Sequence, residues 1–576
     1  MNKKNLFRNI EIASRRRPAD LVIKNCRIVN VFTHDIEEGD IAIAGNTILG
    51  IGEYEGLLTV DAEGMYALPG LIDSHIHVES SFVTPEEFGR AIVPHGTTTT
   101  ISDPHEIVNV CGMEGLKYML RAAEQTALDI RYTMPSCVPC TEWEHSGAVI
   151  DAEAMRKGLR LDGVSGVGEF MNAYGILAGN EDCLDKILVA GEENAWIDGH
   201  SPGLQGDSLA GYLAAGIRTD HECGTVEEMH ERLRRGLYVE LRLGSASPDL
   251  LTLAAGVTET NARRCLLCSD DRLSETLCNR GDMDECLRVC VQQGIHPVTA
   301  VQMATLNVAE CYRLEDRGAI APGRRADIVL VRDLLSFDVR KVWIGGELVA
   351  EDGIYREKVN KADITPVARS VNVKDFSESR LHLRLRSPKV HVIDMNPRSL
   401  LTEDTILIAE RDKNGEFQFC ETNGIAQISV VERHRSTGNV ANALIRGYGI
   451  RRGAVAISVG HDSHNILTVG TNPRDMYLAV REIIQKDGGI VLADDGEILA
   501  CLELPVAGLM STLSAEEVAA RMGRIREIAV TRLGVRDDID PITSLCFMAL
   551  PVIPELKLTD MGLFHVSRQC FIPLEV

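Results

Sequence analysis

Basic residues are in short supply: 60 Lys and Arg stand against 84 Asp and Glu, a formal net charge of -24. A surface of that sign repels phosphate backbones and anionic headgroups, so nucleic acid and membrane are poor partners and a small neutral or cationic substrate suits it better. Long apolar runs are missing too. The stretch IVLADDGEILACLELPVAGLM (490–510) is broken by acids, and no segment reads as a bilayer span. The N-terminal MNKKNLFRNIEIASRRRPADLVIKN lacks the uninterrupted apolar core of a secretory signal, which implies no export. Internal repeats and low-complexity tracts are absent, which argues against solenoids and fibrous arrays.

Cysteine, by contrast, is plentiful. Sixteen are scattered through apolar segments such as RRCLLCSD and LRVCVQQ, the pattern of buried thiols in a reducing compartment, so a cytoplasmic protein is expected. Two C-x-x-C spacings, Cys137 to Cys140 and Cys265 to Cys268, invite a structural zinc. The first contains Val-Pro and the second lies in an apparent strand whose alternate side chains diverge, so packing thiols are the better reading. Arg15 to Arg17 reads as a solvated basic turn on an acidic protein.

At 576 residues the chain exceeds what one core holds, about 250–300 residues, so two or three domains are expected. Residues 20–67 carry short apolar or alternating runs between Gly and Asp turns, the mark of antiparallel strands, and the same style returns at 326–353. The two pieces predict a small β-sandwich built from both ends, 1–67 and 319–358, around an inserted middle. That middle, 68–318, alternates strand-like and helical stretches. ALPGLIDSHIH, GTTTTISDPHE, IRYTMPSCVP, GVSGVGEFMN, AWIDGHSPG, GIRTDHE, LYVELRLGSAS and RRCLLCSDD make eight strands, the tally of a (β/α)8 TIM-like barrel with its chemistry at the C-terminal strand ends. A polar linker then opens a C-terminal α+β domain, 359–576. The whole is an α/β protein.

The strongest local signal is Asp73-Ser74-His75-Ile76-His77. Residues two apart in a strand share a face, so His75 and His77 can present two imidazoles to one metal ion. An H-x-H pair alone is as often a polar strand end. Further strand ends offer Glu169, His200, His221 and Asp270, one each. Four imidazoles and two carboxylates at one end of a barrel supply enough donors for a pair of divalent ions with positions left for water.

These features resemble the amidohydrolase superfamily, and within it the bacterial adenine deaminases. The superfamily likeness rests on PGLIDSHIH, the strand-end Glu, His, His and Asp, and MATLNVAECYRLEDRGAIAPGRRADIVLV. The narrower likeness rests on IDSHIHVESS, ISDPHEIVNVCG, SCVP, GHSPGL, LCSDDR, VGHDSHNILTVG, LPVAGLMST and LPVIPELKLT, blocks that span residues 72–559. The resemblance implies hydrolytic deamination of adenine to hypoxanthine and ammonia at a binuclear centre, with Mn2+ first and Fe2+ or Zn2+ as alternatives. It also implies a homo-oligomer, dimer or tetramer. Many superfamily members bridge their metals with a carboxylated Lys on the fourth strand. Here Glu169 stands in that strand, which fits direct carboxylate bridging and points away from the hydantoinase branch.

Such a reaction needs water activated near neutral pH and a carboxylate to carry the proton to the ring and the departing ammonia. Asp270 is the first choice for the carrier, with Glu169 chiefly a ligand. Asp103 follows the second strand and either caps the next helix or orients a ligand or substrate. Glu79, Ser80, His105 and Arg242 are candidate contacts to the base. The segment Gly460–Asn465, with Asp462 and His464, lies outside the barrel and is expected to fold over its mouth. Rival readings are an amidohydrolase of another aminopurine or of a cyclic amide, and a catalytically dead relative, which a broken ligand set would betray.

Overall fold

The structure is a computed structural model, and it describes residues 2–397 and 399–576. Eight parallel strands form the middle: β1 (Leu71–Ile76), β2 (Thr97–Ser102), β3 (Asp129–Met134), β4 (Val164–Phe170), β5 (Ile197–Gly199), β6 (Thr219–Asp220), β7 (Tyr238–Arg242) and β8 (Cys265–Cys268). β1 to β5 pair in order, as do β6 to β8. Parallel bridges Ile197 to Ile217 and Ile76 to Asp270 join the two sets at both seams, so the ring closes. Closure leaves no free edge and aims all eight C-terminal ends the same way.

The composition of the strands explains their depth. Both β1 (LIDSHI) and β2 (TTTTIS) are buried along their whole length, and the β-branched threonines of β2 suit a pleated surface covered on both sides. Helices with defined starts cover the ring. Val226–Arg234 opens with the Thr225 and Glu228 capping box, and His105–Ala123 bends at Gly112, whose φ of 57° is left-handed.

The two flanks meet in one sheet. Tyr66–Pro69 pairs antiparallel with Ile328–Val331, which joins residues 19–69 and 328–355 into one nine-stranded sheet. Its apolar side chains, Ile23, Ile28, Ile41, Ile43, Ile328 and Trp343 among them, form a core separate from that of the barrel. The C-terminal region holds an eight-stranded sheet, the helices Pro473–Lys486 and Ala515–Thr531, and a smaller three-stranded sheet near the end. Its buried side chains merge with the barrel's in one continuous cluster, so the two regions pack as one body.

Among the described residues no helix is long and apolar enough to cross a membrane. Cys137, Cys140, Cys265 and Cys268 are all buried free thiols, in keeping with packing. Arg15 lies over the Tyr54 ring, 4.9 Å from its centroid, on the exposed surface.

Candidate active site

The C-terminal end of β1 carries His75 and His77, both buried. His77 Nδ1 donates to the main-chain oxygen of Asp103 at 2.9 Å, an atom that can only accept, while His75 Nδ1 meets Asp198 Oδ2 at 2.8 Å. Both rings are thereby turned with Nε2 inward. The two Nε2 atoms stand 3.1 Å apart, and Asp270 Oδ1 lies 3.5 Å from one and 3.2 Å from the other. With neutral imidazoles, three lone pairs meet there with no donor among them, a donor set that suits a divalent cation.

Glu169, at the end of β4, stands between this trio and a second group. Its Oε1 is 3.4 Å from His77 Nε2 and 3.4 Å from His105 Nδ1, whereas Oε2 is 2.7 Å from His200 Nδ1 and 3.4 Å from His221 Nε2. One carboxylate thus turns an oxygen to each side. The sets His75, His77, Asp270; His77, His105, Glu169; and Glu169, His200, His221 each gather ligand atoms within 4.8 Å. All six expected ligands come together, and His105, expected to touch the base, joins them.

The electrostatics match. Burial disfavours the charge of Glu169, yet the imidazoles of His200 and His221 hold its carboxyl well below the usual range. For His77 burial pulls the imidazole down, and the carboxylates of Asp270 and Glu169 more than reverse it, to about 10. A field that attracts protons this strongly attracts a divalent cation in their place.

Asp103 does not cap the helix after β2. That helix starts behind Pro104 without a side-chain cap, and Asp103 Oδ2 instead accepts from the amide of Glu169 at 2.9 Å. It thereby holds the end of β4 in place. Gly168 makes room for it, since a Cβ there would lie 2.0 Å from Asp103 Oδ2. Arg242 proves to be a buttress: Nε and Nη2 donate to Asp249 Oδ2 at 2.9 and 2.8 Å, and Nη1 to Asp270 Oδ2 at 3.0 Å and to Glu222. With its donors committed to carboxylates, it has none to spare for a base edge. Ser80 donates to Asp271, and Glu79 Oε1 accepts from the Ile107 amide at 3.2 Å.

The C-terminal region reaches this end of the barrel. His461 Nδ1 is 2.6 Å from Glu106 Oε1, and His464 Nε2 touches Glu106 Oε2. Burial disfavours the charge of Glu106, but the three imidazoles of His461, His464 and His105 keep its carboxyl well below the usual range. Arg433, fully buried, anchors the segment by donating to the carbonyls of His464 and Ala507, the latter at 3.0 Å. Asp462 borders the main cleft, about 1400 Å³, together with His77, Glu169, His200, His221 and Asp270. His464 lies behind it, against a smaller cavity.

Asp198 and Glu222 are not among the residues that the sequence singles out, whereas Glu106 follows the second strand, where a side chain overlooks the metals. Asp198 had a readable signal, because it precedes His200 by two in a strand and shares its face. Glu222 had none, being one more acid after His221. Replacing Asp198 by Asn removes the charge that orients His75, so metal affinity should fall about 10–100-fold by chelator competition; unchanged affinity would remove Asp198 from the site.

Residues 66–349 match the amidohydrolase family and residues 399–570 match the adenine deaminase C-terminal domain. The chain is 52% identical over 575 residues to "Adenine deaminase 2" of Desulfotalea psychrophila, covering 100% of both chains. It is 46% identical to "Adenine deaminase" of Ligilactobacillus salivarius, again over 100% of both, and 43% identical to that of Geobacillus kaustophilus, over 99% of both. A barrel with a converging His, Glu and Asp cluster, closed by that C-terminal domain, together with full-length identity at this level, places the chain in the adenine deaminase family of the amidohydrolases.

Proposed function

We propose that the protein is an adenine deaminase, a metal-dependent hydrolase that converts adenine to hypoxanthine and ammonia. The observation that carries the reading is Glu169, one oxygen turned to His77 and the other to His200 and His221, as a carboxylate bridging two cations requires. His75, His77 and Asp270 would hold one ion, His200 and His221 the other. Nitrogen and oxygen donors of this kind accept Mn2+ first in our reading, with Fe2+ or Zn2+ admissible. Bound there, divalent ions supply Lewis acidity that brings the pKa of water from 15.7 to about 7.

The chain's own residues do the rest. Asp270 faces His75 and His77 through Oδ1 and Arg242 through Oδ2, so its carboxylate is held rigidly at the reacting face, and burial is outweighed by these partners in keeping it ionised. An ionised carboxylate there can take a proton from water and pass it to a ring nitrogen and the departing amine. Asp103 keeps Glu169 in position through its amide. Asp462, from the C-terminal segment, borders the cleft where the purine would lie.

The buried free thiols support a reducing, cytoplasmic setting. Exposed Tyr174, Leu177, Leu184 and Leu188 on neighbouring helices support assembly into a homo-oligomer. The direct test is the spectral conversion of adenine to hypoxanthine by purified, manganese-loaded protein, with guanine, cytosine and hydantoin as controls. Opening of hydantoin without ammonia release from adenine would overturn the assignment.

A further inference from the structure

Between β3 and the helix Ala152–Leu159 runs a loop, residues 135–151, with no helix or strand of its own. Residues 138–145 form an unbroken stretch of the wall of the metal cleft, and Val149 and Ile150 add to it. A loop this long at the catalytic end of a barrel takes one shape only if contacts beyond itself impose it. The barrel ties it toward its two ends: the Ser136 hydroxyl donates to the carbonyl of Glu169 at 2.6 Å, and the Gly147 amide to that of Asn109 at 2.8 Å.

The middle is held from the C-terminal region. Asp560, in the turn between the paired strands Leu556–Thr559 and Gly562–His565, is buried and accepts twice from one residue. The His145 amide reaches its Oδ1 at 2.9 Å, and His145 Nδ1 reaches its Oδ2 at 2.6 Å. Asn439 donates to the same Oδ2 at 3.1 Å and steadies the carboxylate. Around that pair, Asn465 donates to the His145 carbonyl at 2.8 Å and Arg435 Nε to the Ser146 carbonyl at 3.0 Å, while the Trp143 ring stacks on Phe564 with centroids 4.7 Å apart. Losing the Asp560 carboxylate therefore frees two donors of the loop at once.

The cleft is about 1400 Å³, above the roughly 300–1,000 Å³ usual for a small-molecule pocket, so a base as small as adenine is gripped only where a wall stands close. Resting on the deaminase reading above, we infer that Asp560 is a positioning residue for the purine: through His145 it holds the 135–151 loop as the wall against which the base binds. The proposed metal ligands lie outside this loop and keep their places when the clasp opens. The base then binds more weakly, because part of its binding energy goes into ordering the loop.

Adenine kinetics of the manganese-loaded, full-length protein test this. Asp560→Ala should raise KM for adenine about 10-fold, the equivalent of one net hydrogen bond, with kcat within about twofold and metal content unchanged. Asp560→Asn, which keeps an oxygen for the His145 amide, should recover most of that rise. His145→Ala should raise KM as well, and adding it to Asp560→Ala should raise KM no further. Hydrogen exchange of the 135–151 amides should quicken in Asp560→Ala while that of β1 and β2 holds. An unchanged KM in Asp560→Ala, a loss of kcat or metal as large as the change in KM, additive effects in the double variant, or no gain from Asn over Ala would each overturn the inference. Should Asp560→Ala fail to fold, His145→Ala, at a partly exposed residue, decides by the same KM measurement. No turnover of adenine by the unaltered protein would strike the deaminase reading instead, and the exchange comparison would still report whether Asp560 orders the loop.

Discussion

Glu169→Gln is expected to leave a protein that folds but retains little metal, with turnover of adenine reduced at least about 100-fold, the upper range for disturbing even an indirect partner of a metal site. The carboxylate serves two groups at once: Oε1 stands 3.4 Å from His77 and His105, Oε2 2.7 Å from His200. Gln keeps the shape but offers one acceptor oxygen and an NH2 group, so one side of the site meets a donor where it needs a lone pair. His200, His221 and His77 would then lose the negative charge that now offsets their burial. Metal content by mass spectrometry after dialysis, measured beside hypoxanthine formation, checks this. Full metal content with turnover intact would mean that Glu169 bridges nothing.

Asp270→Asn separates proton transfer from metal binding. An amide cannot carry the proton, so kcat should fall about 10²–10⁴-fold, the usual contribution of a positioned acid or base. Asp270 has a left-handed backbone, φ 54°, which Asn tolerates about as well as Asp, so the substitution adds little strain of its own. The Asn oxygen can still accept from Arg242 or face His75 and His77. Residual metal should therefore exceed that of Glu169→Gln, while KM for adenine moves less than kcat. If kcat were unchanged with the metals in place, another group would have to carry the proton.

Much of the site was legible in the chain because strand geometry is local. Alternation puts His75 and His77 on one face whatever the rest of the protein does, and a strand followed by a polar residue, repeated eight times, already implies a common end. Glu169, His200, His221 and Asp270 could be named on that ground. Less legible were residues whose role depends on a neighbour distant in the chain. Asp103 reads from sequence either as a helix cap or as a residue that orients a ligand, and the room that Gly168 leaves for its carboxylate to reach the amide of Glu169 decides for the second. Arg242 looked free to read a base until Glu222, Asp249 and Asp270 were seen to surround it.

The pattern of residues alone determined the barrel, the split flanking strands and the types of ligand available, since each follows from periodicity and from the end of the strand on which a residue stands. Only the tertiary structure decided that Glu169 divides its oxygens between two groups of imidazoles, that His105 joins them, and that a C-terminal segment brings His461 and His464 onto Glu106. Those relations reach across the chain, from 31 residues between Glu169 and His200 to several hundred between Glu106 and the C-terminal segment, and they exist because ring closure and burial leave each polar atom a narrow choice of partners. No local propensity encodes that choice.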